Sequence, residues 1–212
     1  MTFIGRRIRA FRRWRKKHAF KLSVGLVLLL ASVFAYAGYM ADQRLAVNPE
    51  SYEPLLSLIA KVESNGNYNA YFGNASNQEI RFTDMSIADV TSWQEDFVAN
   101  CNPSSAVGRY QFLSGTLEGL VTQMGLNPDQ KFDEATQDAM AIALLERRGS
   151  IAYVNEELSQ KDFAANLAKE WAALPRVIGD NPEQSYYAGD GLNKSRVAPS
   201  EVFKAIEPIE AK

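Results

Sequence analysis

The chain has 212 residues, which is enough for one domain and an appendage. Nine of its 23 basic residues precede position 22, whereas the first acidic residue is Asp42; from there on, 25 acidic residues outnumber the 14 remaining basic ones by 11. Beyond position 41 the chain is therefore acidic, it has no histidine and its single cysteine is Cys101, so we expect no nucleic-acid partner, no metal, no cofactor and no histidine-dependent catalytic triad.

The N-terminal sequence predicts a membrane segment. Residues 1–21 form a basic tip, and residues 22–41 are twenty uncharged positions, about the length of a membrane-spanning helix. The positive-inside rule places the N-terminus in the cytoplasm and the remainder outside it. We therefore expect a single-pass membrane protein that contacts the lipid bilayer through residues 22–41. The alternative is a cleaved signal peptide, because Ala35-Tyr36-Ala37 resembles a cleavage site. Residues 42–50 are interpreted as a linker.

A helix is predicted to begin near Ser51 and to end before the turn residues at 64–67. Its apolar positions recur at steps of three and four residues, as a core-facing helix requires: Leu55, Leu56, Leu58, Ile59 and Val62. Glu63 then lies on the last turn, where the helix dipole does not favour a negative charge and partial burial would raise the carboxyl pKa. Such a group suits proton donation, although a solvated helix-end glutamate is the simpler alternative.

The rest of the chain predicts a mainly helical domain with one small sheet, an α+β fold. Residues 68–83 alternate weakly and are interpreted as an irregular β-hairpin. Helices are predicted over 86–98, 114–124, 133–148, 151–158, 162–174 and 199–206. In the helix that Asp133 caps, we expect Ala135, Ala139, Ile142, Ala143 and Leu145 to face inward. In the helix over 162–174, we expect one buried stripe: Phe163, Leu167, Trp171 and Leu174.

Residues 106–112 form a second informative stretch, in which a glycine turn leads an aromatic residue and an amide toward a helix start. Tyr110 offers a flat apolar face with a hydroxyl, and Gln111 offers a donor and an acceptor. These are the groups that a sugar-binding cleft uses. A structural loop with one core aromatic residue is the alternative.

At this point the sequence resembles the lambda-type phage lysozymes, which are lytic transglycosylases. Val62-Glu63-Ser64 followed by Gly66 is similar to that family's catalytic glutamate at the end of its first long helix. The other similar segments follow in the family's order and cover roughly 50 to 205: Phe82-Thr83-Asp84-Met85-Ser86, Gly108-Arg109-Tyr110-Gln111-Phe112-Leu113-Ser114, Thr136-Gln137-Asp138-Ala139, Glu146-Arg147-Arg148-Gly149 and Trp171-Ala172-Ala173-Leu174-Pro175. Residues 1–41 are not part of the resemblance.

The resemblance implies a lysozyme-like two-lobed domain over 51–212. The charge pattern before it adds the expectation of a single preceding transmembrane helix, with the domain exported to the periplasm or carried in a phage virion membrane. The resemblance also implies cleavage of the bond between N-acetylmuramic acid and N-acetylglucosamine in peptidoglycan, with Glu63 as acid and then base and a 1,6-anhydro product. The residues that it implies for substrate binding are Ser64, Asp84, Tyr110, Gln111, Tyr186 and Tyr187.

Three departures bear on substrate preference: Asn69 stands where an aspartate is expected, the stretch 87–101 is longer, and 175–187 replaces a shorter glycine-rich segment. A hydrolysing lysozyme that uses Asp84 as a second carboxylate is the alternative enzyme. A peptidoglycan-binding protein with an inactive cleft is the alternative outside enzymes. Phage lysis, entry from a membrane-containing virion and bacterial wall remodelling are all compatible with the sequence, which does not predict an oligomeric state.

Overall fold

The structure, a computed structural model, describes residues 45–212. A 3₁₀ turn, Pro49–Tyr52, leads into the first α-helix, and a second 3₁₀ turn, Phe82–Asp84, precedes the second. The α-helices of the described chain are α1 (Glu53–Ser64), α2 (Ile87–Ala99), α3 (Ser114–Met124), α4 (Glu134–Arg148), α5 (Ser150–Val154), α6 (Gln160–Leu167) and α7 (Pro199–Ile206).

Local sequence signals account for several helix ends. Ser86 caps α2 by accepting a hydrogen bond from the Asp89 N–H, and the Asp89 carboxylate reaches back in a capping box. Asp133 caps α4 by accepting from the Thr136 N–H at 2.9 Å. Gly125 ends α3 in the left-handed conformation, which glycine adopts without strain. The predicted bounds of α3 and α7 are confirmed.

The core is built mostly between helices that follow one another, and one contact joins the first helix to the last. Helix α1 packs against α7, α7 packs against α6, and α2 packs against α3. Helix α4 contacts α3, α5 and α6, so it joins these groups. The fully buried side chains include Leu55, Ile59, Leu117, Met140 and Phe163. Each buried side chain of this size stabilises the fold by about 1.5–3 kcal/mol before entropy is counted.

The predicted β-hairpin sheet over 68–83 is wrong, because the described residues contain no strand and only isolated bridges. Two asparagines hold this segment instead. Asn67 Nδ2 donates to the carbonyls of Ala75 and Asn77, each at 2.9 Å, and Asn77 Oδ1 accepts from the N–H of Ile80 at 3.1 Å. These side chains satisfy backbone groups that a ladder would otherwise pair, so the segment folds as turns. The α+β assignment is thereby corrected to a helical fold for residues 45–212.

The predicted transmembrane helix, 22–41, lies outside the described residues. Between residues 45 and 212, the structure contains no helix that is both long and apolar enough to span a bilayer. The predictions of a single-pass membrane protein and of a lipid-bilayer contact are therefore wrong for the described residues, because none of their helices could span a bilayer.

Two helices differ from their predicted form. In α4 the buried face includes Gln137, Met140, Ala141 and Leu144, whereas Ala135 and Ala139 are exposed. Alanine fits either environment, so the larger side chains set the orientation. Helix α6 ends at Leu167, seven residues earlier than predicted, although Trp171 and Leu174 are buried as expected. Residues 168–174 therefore turn beside the end of α1 instead of continuing a helix.

Candidate active site

Glu63 lies one residue before the end of α1, where the chain turns sharply. Asn65 adopts the left-handed conformation with φ 56°, and the N–H of Gly66 donates to the carbonyl of Ala60 at 3.0 Å. Asparagine and glycine tolerate this conformation better than other residues, which explains why the helix ends here. The turn leaves Glu63 at the helix edge, partly accessible to solvent.

The carboxylate of Glu63 is held by a backbone donor from the other end of the domain. The N–H of Ala173 donates to Glu63 Oε1 at 3.1 Å. This donor is available because α6 stops at Leu167, so the Ala173 N–H is not part of a helix. If the helix continued to residue 174, as the sequence predicts, the Ala173 N–H would bond within the helix and would not be available to Glu63.

Arg196 adds a positive charge near Glu63. Its guanidinium donates to the carbonyl of Val62 at 3.1 Å, and its backbone N–H donates to the carbonyl of Ala173 at 2.9 Å. Arginine is favourable at the C-terminal end of a helix, where carbonyls lack helical partners. Sequence reasoning missed Arg196, because it lies in a loop with no motif of its own.

Burial raises the pKa of Glu63 to about 6. The hydrogen bond from Ala173 and the charge of Arg196 both lower the pKa, but desolvation outweighs them. A carboxyl group of this pKa is protonated in about one molecule in ten at pH 7. It can therefore give up a proton and take one back near neutral pH, which is the requirement for a general acid–base.

Ser64 links the end of α1 to the loop over 108–111. Its hydroxyl is buried and lies 2.7 Å from the carbonyl oxygen of Arg109 and 3.1 Å from that of Ala60. Protein groups thus occupy the hydroxyl, and the predicted contact of Ser64 with substrate stays a prediction. Ser64 fixes the position of the residue beside it, Glu63.

Tyr110 is buried, and its hydroxyl donates to the carboxylate of Asp138 at 2.7 Å. Burial and this bond raise the pKa of Tyr110. Tyr68 donates to the same carboxylate at 2.9 Å, and burial raises its pKa to about 12. Tyr110 is thus a buried residue, and its predicted contact with substrate stays a prediction. Its neighbour Gln111 is partly exposed and donates to the carbonyl of Gly108 at 2.9 Å.

Arg109 completes this cluster. Its guanidinium donates to the Tyr68 hydroxyl, lies 3.7 Å from the Asp138 carboxylate and stacks over the Tyr68 ring at 4.7 Å. Ion pairing and cation–π contact both favour this placement. The cluster of Tyr68, Arg109, Tyr110 and Asp138 ties the segment after Glu63 to α4. Sequence reasoning gave Arg109 and Asp138 no role.

No hydrogen bond or ion pair joins Asp84 to Glu63 in the described residues. Asp84 is exposed and accepts a hydrogen bond from Arg81 Nε at 2.6 Å, which lowers its pKa. Burial, Ala173 and Arg196 set the pKa of Glu63, and no carboxylate is among its causes. Asp84 is therefore held as a carboxylate in a surface ion pair of its own.

Tyr186 and Tyr187 are about half exposed and meet edge to face, with ring centroids 5.1 Å apart. The Tyr187 hydroxyl donates to the carbonyl of Lys169 at 2.7 Å. This bond anchors the long loop over 175–198 to the segment that follows α6. The predicted role of both tyrosines as a cleft wall stays a prediction.

A cavity of about 220 Å³ opens beside this region. The residues around it belong to the start of α3, the end of α4, the segment after α6 and the long loop: Tyr110, Gln111, Phe112, Leu113, Thr116, Leu144, Arg147, Arg148, Lys169, Glu170, Trp171 and Tyr187. Glu63 does not line it. Trp171 connects the two places, since its Nε1 donates to the carbonyl of Tyr110 at 3.2 Å and Ala173 follows two residues later. Glu63 is the candidate for proton transfer, because its raised pKa and its contacts suit that role.

No cluster of three metal-ligating side chains occurs within residues 45–212. The expectation that no metal or cofactor is needed stays a prediction.

Comparisons with known proteins identify one family. A family model described as Endolysin matches residues 55–194, or 140 of the 212 positions. Among solved structures, bacteriophage lambda lysozyme complexed with a chitohexasaccharide is similar, with 20% sequence identity and a TM-score of 0.44. That alignment covers 77% of this chain and 96% of the lysozyme. A comparison with curated proteins gives no match.

Proposed function

Because the chain belongs to the Endolysin family, we propose that residues 51–212 cleave peptidoglycan as a lytic transglycosylase, with Glu63 as the single catalytic acid–base. The family match confirms the resemblance to phage lysozymes that the sequence predicts. The chain is accordingly a lysozyme-like phage enzyme that degrades the bacterial cell wall, and its substrate is the peptidoglycan glycan strand.

The observation that carries the proposal is the buried carboxyl group of Glu63, which has a raised pKa and is held by a backbone N–H, while Asp84 is held as a carboxylate by Arg81. A hydrolysing glycosidase generally needs two carboxyl groups about 5–9.5 Å apart, one on each side of the scissile bond. The groups that set the pKa of Glu63 are a backbone N–H and an arginine, while Asp84 is engaged with Arg81 at an exposed site. A single carboxyl group suffices when the nucleophile is a hydroxyl of the substrate itself.

In the proposed reaction, protonated Glu63 donates its proton to the glycosidic oxygen as the bond to C1 of N-acetylmuramic acid breaks. The C6 hydroxyl of the same sugar then bonds to C1, and its proton returns to Glu63. The carboxyl group ends as it began, and no water is consumed. The backbone N–H of Ala173 and the charge of Arg196 stabilise the carboxylate between the two transfers.

Substrate binding is proposed for exposed groups around the cavity. Gln111 and Tyr187 both line it, and each offers polar atoms beside an apolar surface. Tyr186 extends this surface along the long loop. Tyr110 and Ser64 are buried and contribute indirectly, because their hydrogen bonds fix the loop over 108–111 and the end of α1. Asp84 contributes to the surface charge of the cleft without taking part in proton transfer.

Product analysis tests the reaction type. Wild-type protein is incubated with purified peptidoglycan, and the muropeptides are separated and weighed by mass spectrometry. We expect muramic acid ends that lack one water, because the 1,6-anhydro ring forms without hydrolysis. Reducing ends without anhydro sugar would replace the proposal with the hydrolase that uses Glu63 and Asp84. Absence of any cleavage would support the alternative, a peptidoglycan-binding protein with an inactive cleft.

A further inference from the structure

The cavity beside Trp171 concentrates positive charge in an acidic region. Residues 45–212 contain 24 acidic and 13 basic residues, yet Arg147, Arg148 and Lys169 all line this one cavity. Glu170 is the only acidic residue among those that line it. The cavity therefore carries a local charge of +2 where the region as a whole carries −11. The sugar rings of a glycan strand are themselves uncharged, so binding them does not need such a charge.

Glu170 fixes the two arginines without using all their donors. Its side chain is only 7% exposed and accepts from Arg148 Nε at 2.7 Å and from Arg147 Nη2 at 3.2 Å. A guanidinium has five N–H donors, and Arg147 uses only Nη2 in the hydrogen bonds of the described residues. The arginines are thus held in place with donors left for a second anion.

Lys169 completes the cationic side of the cavity. Its ammonium donates to Asn166 Oδ1 at 3.0 Å, which leaves two of its three donors. Its backbone carbonyl holds the Tyr187 hydroxyl, so the aromatic wall and the lysine are fixed together. A volume of about 220 Å³ is below the range of roughly 300–1,000 Å³ typical of pockets for whole ligands. A cavity of this volume suits one charged group of a ligand, together with the few atoms that attach it.

One chain segment contacts both the cavity and Glu63. Trp171 lines the cavity, and Ala173, two residues later, donates to Glu63. Two residues of chain span at most about 7 Å. This shared segment makes a substituent of the muramic acid ring that is cleaved at Glu63 the candidate occupant of the cavity.

We infer that this cavity binds the carboxylates of the peptide attached to N-acetylmuramic acid, so that the enzyme prefers peptide-bearing glycan strands to bare ones. The inference rests on the proposed function, because it assigns the cavity to the substrate of Glu63. Carboxylate is the chemistry that two anchored guanidinium groups and an ammonium recognise. The peptide supplies several carboxylates, whereas a strand stripped by an amidase retains only the lactyl carboxylate of the sugar.

The test compares two substrates and two matched variants. Lys169→Glu reverses the charge in the cavity, and Lys161→Glu makes the same change on the exposed face of α6. The substrates are peptide-bearing glycan strands and the same strands after amidase treatment. For Lys169→Glu we expect kcat/KM on peptide-bearing strands to fall about tenfold further than on stripped strands. For Lys161→Glu we expect the ratio between the two substrates to stay at the wild-type value.

Equal losses on both substrates, or no loss on either, would overturn the inference. If Lys169→Glu does not fold, Arg147→Gln serves in its place, since Arg147 is 37% exposed and Arg148 still pairs with Glu170. Direct binding gives a second readout. In the Glu63→Gln background, a disaccharide-tetrapeptide should bind more tightly than the bare disaccharide, and equal affinities would also refute the inference. A wild-type protein that cleaves neither substrate would instead refute the proposed function.

Discussion

The backbone N–H of Ala173 donates a hydrogen bond to Glu63 Oε1 at 3.1 Å, across 110 residues of sequence. The bond joins the end of α1 to the turn that follows α6. It favours the ionised carboxyl group, whereas burial favours the neutral one, and burial prevails. A donor on the backbone keeps this position whichever side chain occupies residue 173, so the carboxyl group is oriented by the fold itself.

Glu63→Gln is expected to abolish most of the activity while the protein stays folded. The amide has nearly the same shape, and its oxygen can still accept from Ala173, but it cannot transfer a proton. General acid–base catalysis contributes about 10²–10⁴-fold in rate, so wall lysis should fall by that factor. Glu53→Gln removes an exposed acid from the other end of α1 and should leave lysis near the wild-type rate. A folded Glu63→Gln protein that still clears cell walls would contradict the assignment.

The pH dependence of activity should reflect the raised pKa of Glu63. The reaction begins from the protonated carboxyl group, whose population falls as pH rises through about 6. We therefore expect kcat/KM to decrease about tenfold per pH unit above that value. This descending limb of the pH profile reports the pKa of Glu63 in the free enzyme. Initial rates on soluble glycan strands between pH 5 and 8 provide the measurement. If kcat/KM instead began to fall near the ordinary pKa of glutamate, Glu63 would be solvated and not buried.

Arg196→Gln is expected to move that limb to higher pH. The arginine charge lowers the pKa of Glu63, so its removal raises the pKa further. The rate should then begin to fall at a higher pH, with the same slope of about tenfold per pH unit, although a weaker cap on Val62 can lower the maximum rate. Lys194→Gln removes the same charge from an exposed position two residues away and should leave the limb in place. A shift of equal size in both variants would mean that general charge, rather than the position of Arg196, sets the pKa.

Asp84→Asn should reduce activity far less than Glu63→Gln. Asp84 is exposed and its partner is Arg81, so its removal breaks a surface ion pair and leaves Glu63 and its contacts intact. We expect wall lysis within several-fold of wild type and an unchanged proportion of anhydro product. A loss as large as that of Glu63→Gln, with hydrolysed ends in the wild-type digest, would instead support the two-carboxylate mechanism.

Sequence patterns predicted much of the helical framework, because periodicity and caps are local signals. Ser86, Asp133 and Gly125 each mark a helix end where the structure has one. The position of Glu63 at the end of α1 also follows from local chemistry, since Asn65 and Gly66 end the helix. These features depend on neighbours within a few residues, which the sequence displays directly.

The errors arose where distant contacts decide the conformation. Asn67 and Asn77 replace a β-ladder with side-chain hydrogen bonds, and alternation alone does not reveal this. The early end of α6 depends on the packing of Trp171 and on the bonds of Ala173, both with partners far away in sequence. Arg196 donates a hydrogen bond to the carbonyl of Val62, which is 134 residues away in sequence, so no local motif predicts this contact.

Gly108→Ala is expected to destabilise the protein and to impair activity together. Gly108 has φ +79°, which strains any side chain, and an added Cβ would collide with the side chain of Gln137 and approach Phe132 at 3.1 Å. Gln137 is buried and holds the Arg109 N–H at 2.9 Å. It cannot move without leaving that donor unpaired, which by itself costs about 1–3 kcal/mol.

Gly73→Ala is the matched control, because Gly73 has φ +82° and no atom within 4 Å of an added Cβ. Both variants carry the same backbone strain of roughly 1–2 kcal/mol, so the difference between their free energies of unfolding isolates the contact with Gln137. We expect Gly108→Ala to be less stable than Gly73→Ala by about 1–3 kcal/mol in urea denaturation. The Arg109 carbonyl accepts from Ser64, next to Glu63, so displacement of this loop should also lower lysis. Equal stability of the two variants would show that the loop can yield, and that Ser64 and Glu63 do not depend on its position.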